Sequence, residues 1–161
     1  MKLVVAGPAS AGKTTLVRTL ADLTVRSTGD DGRAFDLGRI TVGRDLVLYL
    51  YGAPAEPGPA GWRGLAEGML GSLLVVDGLR PDGPALAAAH VRWFAAQPAP
   101  MLVAANRCPP EAAPVVAREL GVAPSTVTAL DCKHRPSVKN LVIALLESAL
   151  DASAPAAVRR V

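Results

Sequence analysis

Cysteine is scarce: Cys108 and Cys132 are the only two in 161 residues. They are too few and too scattered for a disulfide framework or a zinc site, so reduced thiols are expected. Half of the chain is apolar, yet no run approaches the roughly 20 residues that span a bilayer. Met1-Lys2 leads straight into a strand-length apolar run and not into a signal peptide, which points to a cytoplasmic protein without a transmembrane segment. Aromatic residues make up only 4% of the chain, and the excess of base over acid is small, 17 against 14. No basic run is interleaved with aromatics, so nucleic-acid binding is not indicated. His90 and His134 have no acid, serine or second histidine at ligand spacing, and neither is assigned a catalytic role.

What is present is one complete motif. Gly7-Pro8-Ala9-Ser10-Ala11-Gly12-Lys13-Thr14, followed by Thr15, fits G-x-x-x-x-G-K-[ST]. It follows the apolar run Leu3-Val4-Val5-Ala6 and opens a helical pattern, the context that makes it a P-loop. A tight glycine-cornered loop turns its backbone N–H groups inward as an anion nest, and the helix N-terminus adds partial positive charge. Lys13 is expected to reach the β- and γ-phosphates of a nucleotide, and the Thr14 hydroxyl to hold Mg²⁺.

Strand-length apolar runs at residues 2 to 6, 37 to 42, 46 to 51, 72 to 77, 101 to 105 and 126 to 130 alternate with helical periodicity at 13 to 23, 60 to 70, 84 to 97, 110 to 120 and 136 to 150. This alternation predicts an α/β fold, a parallel sheet with crossover helices on both faces. The run ending at Val42 and the run starting at Leu46 are separated only by Gly43-Arg44-Asp45, which forces a hairpin and one antiparallel edge strand. The expectation is therefore a six-stranded, mostly parallel sheet in a three-layer αβα sandwich of the Ras-like, P-loop NTPase kind. A domain over 1 to 150 is followed by a flexible tail over 151 to 161, which lacks periodicity and carries Pro155. In such an open sheet, ligands lie beyond the carboxyl ends of the strands.

Residues 36 to 42, 48 to 52, 62 to 77 and 131 to 139 resemble the bacterial Ras-like small GTPases, most of all the conservon-type and gliding-motility-type proteins that act with roadblock-domain partners. The resemblance runs over residues 2 to 150. It implies GTP or GDP as ligand, Mg²⁺ as cofactor and a roadblock-type regulatory protein as partner. It also implies base contacts from Asn106, Arg107, Asp131, Cys132 and Lys133, beside the P-loop residues Gly7 to Thr15.

Several positions depart from that family. Gly52-Ala53-Pro54-Ala55-Glu56 stands where the family has a Mg²⁺-linked aspartate, a γ-phosphate-sensing glycine and a water-positioning glutamine. Glu56 occupies the glutamine position and, with Lys13, is the candidate catalytic residue. Its charge is the wrong sign for a phosphoryl transition state. The loop before the second strand carries Gly29-Asp30-Asp31-Gly32-Arg33, with Ser27 or Thr28 as displaced Mg²⁺ candidates or simply a solvated polar loop. Asn106-Arg107-Cys108-Pro109 keeps the asparagine of the guanine motif and loses its aspartate, so ATP and ADP become admissible ligands.

Asp77 ends an apolar strand as a Walker B acid would, but its place in the chain favours orienting the following loop. Arg63 is a candidate arginine finger in cis, or a solvated surface residue. Trp62 is a candidate partner anchor, or a side chain packed under its own loop. The leading reading is a nucleotide-dependent switch with slow or partner-dependent hydrolysis. The alternative is a degenerate GTPase that serves as a non-hydrolysing protein-binding module.

Overall fold

The computed structural model describes residues 1–28, 34–56 and 58–153. The first apolar run becomes strand β1 (Lys2–Ala6), and the glycine-rich loop leads into helix α1 (Lys13–Leu20). Strands β2 (Leu23–Thr28), β3 (Ala34–Thr41) and β4 (Val47–Gly52) follow, then helix α2 (Gly58–Ala66). Three further strands, β5 (Gly71–Asp77), β6 (Met101–Asn106) and β7 (Val127–Leu130), are linked by α3 (Gly83–Ala95) and α4 (Ala113–Leu120). A 3₁₀ turn at Pro110–Ala112 precedes α4, and α5 (Arg135–Ser153) closes the chain. The expected tail over 151 to 161 thus begins inside α5, and its residues 154 to 161 lie outside the described ones.

Among the described residues the sheet has seven strands in the order β2-β3-β4-β1-β5-β6-β7, not the six expected. The additional strand is β2, in a segment read from sequence as the end of a helix and a loop. Five strands, β4, β1, β5, β6 and β7, run parallel. Strand β3 is antiparallel to both neighbours. It is therefore not the edge strand that the hairpin predicted, because β2 covers its outer side. The hairpin itself is present: the Val42 amide donates to the Leu46 carbonyl at 2.8 Å across the turn.

Parallel strands covered on both faces read as continuous apolar runs. Accordingly β5 is buried along its whole length, and Leu3, Val4, Val5 and Ala6 of β1 are inaccessible to solvent. Alternation divides them between two cores. Leu3, Val5, Leu73 and Val75 pack with Leu16 and Val17 of α1 and Leu141 and Leu145 of α5. Val4, Ala6, Leu74 and Val76 pack with Val91 and Phe94 of α3 and Val116 of α4. Edge strand β2 instead exposes almost every side chain, including Leu23 and Val25, so no buried face announces it. Among the described residues no helix is long and apolar enough to cross a membrane.

Candidate functional site

The loop between β1 and α1 has three residues of positive φ, Ser10 at 61° and two glycines. Gly7 has φ 140° and Gly12 has φ 118°, conformations that L side chains rarely adopt. A Cβ on Gly12 would also lie 2.5 Å from Nδ2 of Asn106, so this corner has no room for a side chain. Helix α1 starts at the next residue, and the Leu16 amide donates to the Gly12 carbonyl at 2.9 Å. The first-turn N–H groups of α1 are thereby aimed at a cavity of about 190 Å³ lined by Ser10, Gly12, Lys13, Thr14 and Thr15. A larger cavity of about 380 Å³ lies between α1, β3 and α5. No P-loop residue lines it, so the motif selects the smaller one.

The Lys13 ammonium donates to the carbonyls of Gly7 and Pro8, each at 2.8 Å. Burial lowers its pKa to about 8, against the opposing pull of the Asp36 carboxylate. Thr14 Oγ1 donates to Asp36 Oδ2 at 2.5 Å. Asp36 lies on β3, and no sequence signal marked it as a site residue, because its relation to the P-loop exists only once β3 is placed in the sheet.

The loops after β6 and β7 meet the P-loop through Asn106, at the end of β6 and 4% exposed. Its Nδ2 donates to the Ala11 carbonyl at 2.9 Å, and its Oδ1 accepts from the Cys132 amide at 3.0 Å. Arg107, with φ 63°, reaches back to the Ser10 carbonyl at 2.9 Å and to Asp77 Oδ2 at 2.6 Å. Asp77 also accepts the Leu79 amide at 3.1 Å. Its carboxylate thus orients the loop after β5 and pairs with Arg107.

Asp131 forms its own turn, accepting from the Lys133 amide at 2.8 Å through Oδ1. Cys132 beside it is buried, and burial together with the charge of Asp131 pushes its thiol up to about 12. Cys108 and Cys132 are both free. The Pro109 carbonyl accepts the Ala112 amide at 3.0 Å and caps the 3₁₀ turn, so this residue serves the backbone and brings no carboxylate.

The segment after β4 is partly helical. Glu56 is exposed, and Arg63 is exposed on α2. Trp62 does not stand free as a partner anchor; its ring packs on His90, Trp93 and Phe94 of α3 with centroids 5.2, 5.5 and 6.4 Å away. Ser27 and Thr28, expected in a loop, are ladder residues of β2 opposite Phe35 and Ala34. Asp30 and Asp31 lie outside the described residues. Among the described residues no group of three or more His, Cys, Asp or Glu gathers that could hold a metal alone.

The chain matches no protein-family model and no curated protein. Its fold does match solved structures. The cytosolic domain of the T. maritima FeoB iron transporter in a GDP form superposes with TM-score 0.67 at 17% identity, over 92% of this chain and 62% of that one. A mutant of S. thermophilus NFeoB bound to GDP gives TM-score 0.71 at 15% identity, over 96% and 65%. The G domain of T. maritima FeoB alone gives TM-score 0.63 at 15% identity, over 96% and 99%. The chain therefore spans less than two thirds of the first two and almost the whole of the isolated G domain. What the chain shares with them is the fold of the FeoB G domain.

Proposed function

We propose that the chain is a nucleotide-dependent switch that binds a purine nucleoside di- or triphosphate, GTP and GDP foremost, on the loop from Gly7 to Thr15. One observation carries this reading: Gly7 and Gly12 adopt positive φ and shape an open anion nest at the start of α1, with the Lys13 ammonium inside it. The solved neighbours bound to GDP have the same fold, and the nucleotide-binding unit proposed here is the domain of residues 1 to 150. Asn106, Arg107, Asp131, Cys132 and Lys133 form the base side of the site.

Mg²⁺ is the fitting cofactor, because the Thr14 hydroxyl and nucleotide phosphates are hard oxygen donors. A bound Mg²⁺ would neutralise phosphate charge. Lys13 would orient the β- and γ-phosphates as a point charge. Glu56, which stands where the family has its water-positioning glutamine, would bring the wrong sign of charge to phosphoryl transfer, so unaided hydrolysis is slow.

The partner is a roadblock-type regulator that docks on the β2–β3 side of the sheet. Support comes from the resemblance of residues 36 to 52 and from the exposed Leu23 and Val25 of edge strand β2. A second reading, a non-hydrolysing binding module with relaxed base choice, is favoured by Pro109, whose carbonyl caps a turn where the family places its base-reading acid.

The deciding experiment releases any nucleotide from the purified protein by denaturation and identifies it. It then titrates GDP, GTP, ADP and ATP with Mg²⁺ by calorimetry. Micromolar or tighter binding of a triphosphate supports the switch, and hydrolysis followed at single turnover separates the two readings. Absence of binding to all four would overturn both.

A further inference from the structure

The larger cavity, of about 380 Å³, is built from a different set of residues than the nucleotide site. Helix α1 ends at Leu20, and after Ala21 the chain leaves for β2. Ile40 of β3 and Leu48 of β4 face each other in the ladder on the side of α1 and α5, and they form the floor. Leu20 closes one side and α5 the other. At the mouth Val42 and Ile143 stay 47% and 40% exposed, large apolar side chains left in contact with water. The volume falls within the range of about 300 to 1,000 Å³ of small-molecule sites, which are concave and mostly apolar with a few placed polar groups.

The wall formed by α5 is graded. Arg135, Lys139, Val142 and Leu146 share one face of the helix at spacings of four, three and four, and all line the cavity. The face begins with two cations and ends with two aliphatic side chains. Arg135 is already engaged: Nη1 donates to the Thr19 carbonyl at 2.9 Å, and Nη2 lies 3.9 Å from Asp22 Oδ1. Asp22 is engaged as well, since its Oδ2 accepts the Thr41 amide at 2.8 Å. These two charges offset each other. Lys139 has no hydrogen-bond or ion-pair partner among the described residues. The rim therefore carries one uncompensated positive charge over an apolar interior.

We propose that this cavity binds a small carboxylate with an apolar body, of the class of a free medium-chain fatty acid. Its carboxylate pairs with Lys139, and its chain lies along Val142 and Leu146 over Ile40 and Leu48. The charge selects the head group, and burial of the chain supplies most of the affinity, because a solvent-exposed ion pair contributes little.

Chemical shifts of the ¹⁵N-labelled full chain are followed during titration with hexanoate, octanoate and decanoate, and with octylammonium as the cation of matching length. Saturable shifts at Thr41, Val42, Lys139 and Ile143 are expected. The Kd for octanoate should be about 0.1 to 1 mM, with a gain of about threefold to fourfold in affinity per added methylene. Octylammonium should bind about fivefold more weakly than octanoate. Lys139→Glu should remove that preference, and Ile143→Asp should weaken octanoate. Both substitutions are at exposed positions, so both variants should unfold thermally as the wild type does.

Shifts that fail to saturate, equal binding of the two head groups, or a preference that survives Lys139→Glu overturns the proposal. Retention on phosphatidylglycerol vesicles without any response to the free acids also overturns it and assigns this face to a lipid surface. None of these outcomes bears on the nucleotide reading, since Lys139 and Ile143 do not line the P-loop cavity.

Discussion

His90 Nε2 lies 2.8 Å from the backbone carbonyl of Ala55, which joins the middle of α3 to the loop after β4. The carbonyl can only accept, so Nε2 carries the proton. His90 is 6% exposed, and its ring also packs on Trp62 of α2. One side chain therefore holds both the loop that contains Glu56 and the helix that follows it.

His90→Ala should increase hydrogen exchange in residues 53 to 56 and lower stability by about 1 to 3 kcal/mol. Denaturant unfolding checks the second effect. Burial, the larger influence, lowers the His90 pKa against the opposing bond to Ala55. The folded state then favours the neutral ring, and the unfolded state binds more protons at mildly acidic pH. The His90 contribution is present above the unfolded-state pKa of about 6.5 and is lost as pH falls toward the folded-state value. Between about pH 7 and pH 5 the wild type should lose more stability than His90→Phe.

Lys13 should make nucleotide binding pH-dependent in the opposite range. Its pKa in the free protein is about 8, and a bound phosphate raises it by favouring the cation. Affinity is expected to fall as pH rises above 8, with proton uptake on binding near that pH. Calorimetry in buffers of different ionisation enthalpy measures the uptake. Lys13→Ala should abolish the uptake and most of the affinity with an unchanged thermal unfolding profile.

Base selectivity in nucleotide binding should be weak. Pro109 presents no side-chain acceptor, and losing a buried bidentate pair costs about 2 to 4 kcal/mol of discrimination. Pro109→Asp is expected to raise the preference for GDP over ADP in competition binding at fixed Mg²⁺ and salt. A wild type that already prefers guanine about a thousandfold, near 4 kcal/mol, would mean that a different residue reads the base.

Removing Asn106 should uncouple the P-loop from the loop after β7. Asn106→Ala leaves the buried Ala11 carbonyl and Cys132 amide without their partner, at a cost of about 2 to 4 kcal/mol. The melting temperature should fall by about 5 to 10 °C, and nucleotide affinity should fall with it.

The features written in local sequence were those that depend on neighbouring residues. The P-loop is a run of contiguous residues whose glycines meet a backbone requirement on the spot. Strands β1 and β5 are buried on both faces and so appear as apolar runs such as Leu73-Leu74-Val75-Val76. The hairpin at Gly43 followed from a link too short for any other connection. Strand β2 was hidden for the converse reason: an edge strand that buries neither face has no apolar period to display. Trp62 lies in a stretch that sequence leaves open between a docking loop and a packed helix, and its position was decided by His90, Trp93 and Phe94 on a helix more than 25 residues away. Asp36 depended most on tertiary structure. It is 22 residues from Thr14, and only the register that sets it opposite Gly52 brings its carboxylate to the first turn of α1.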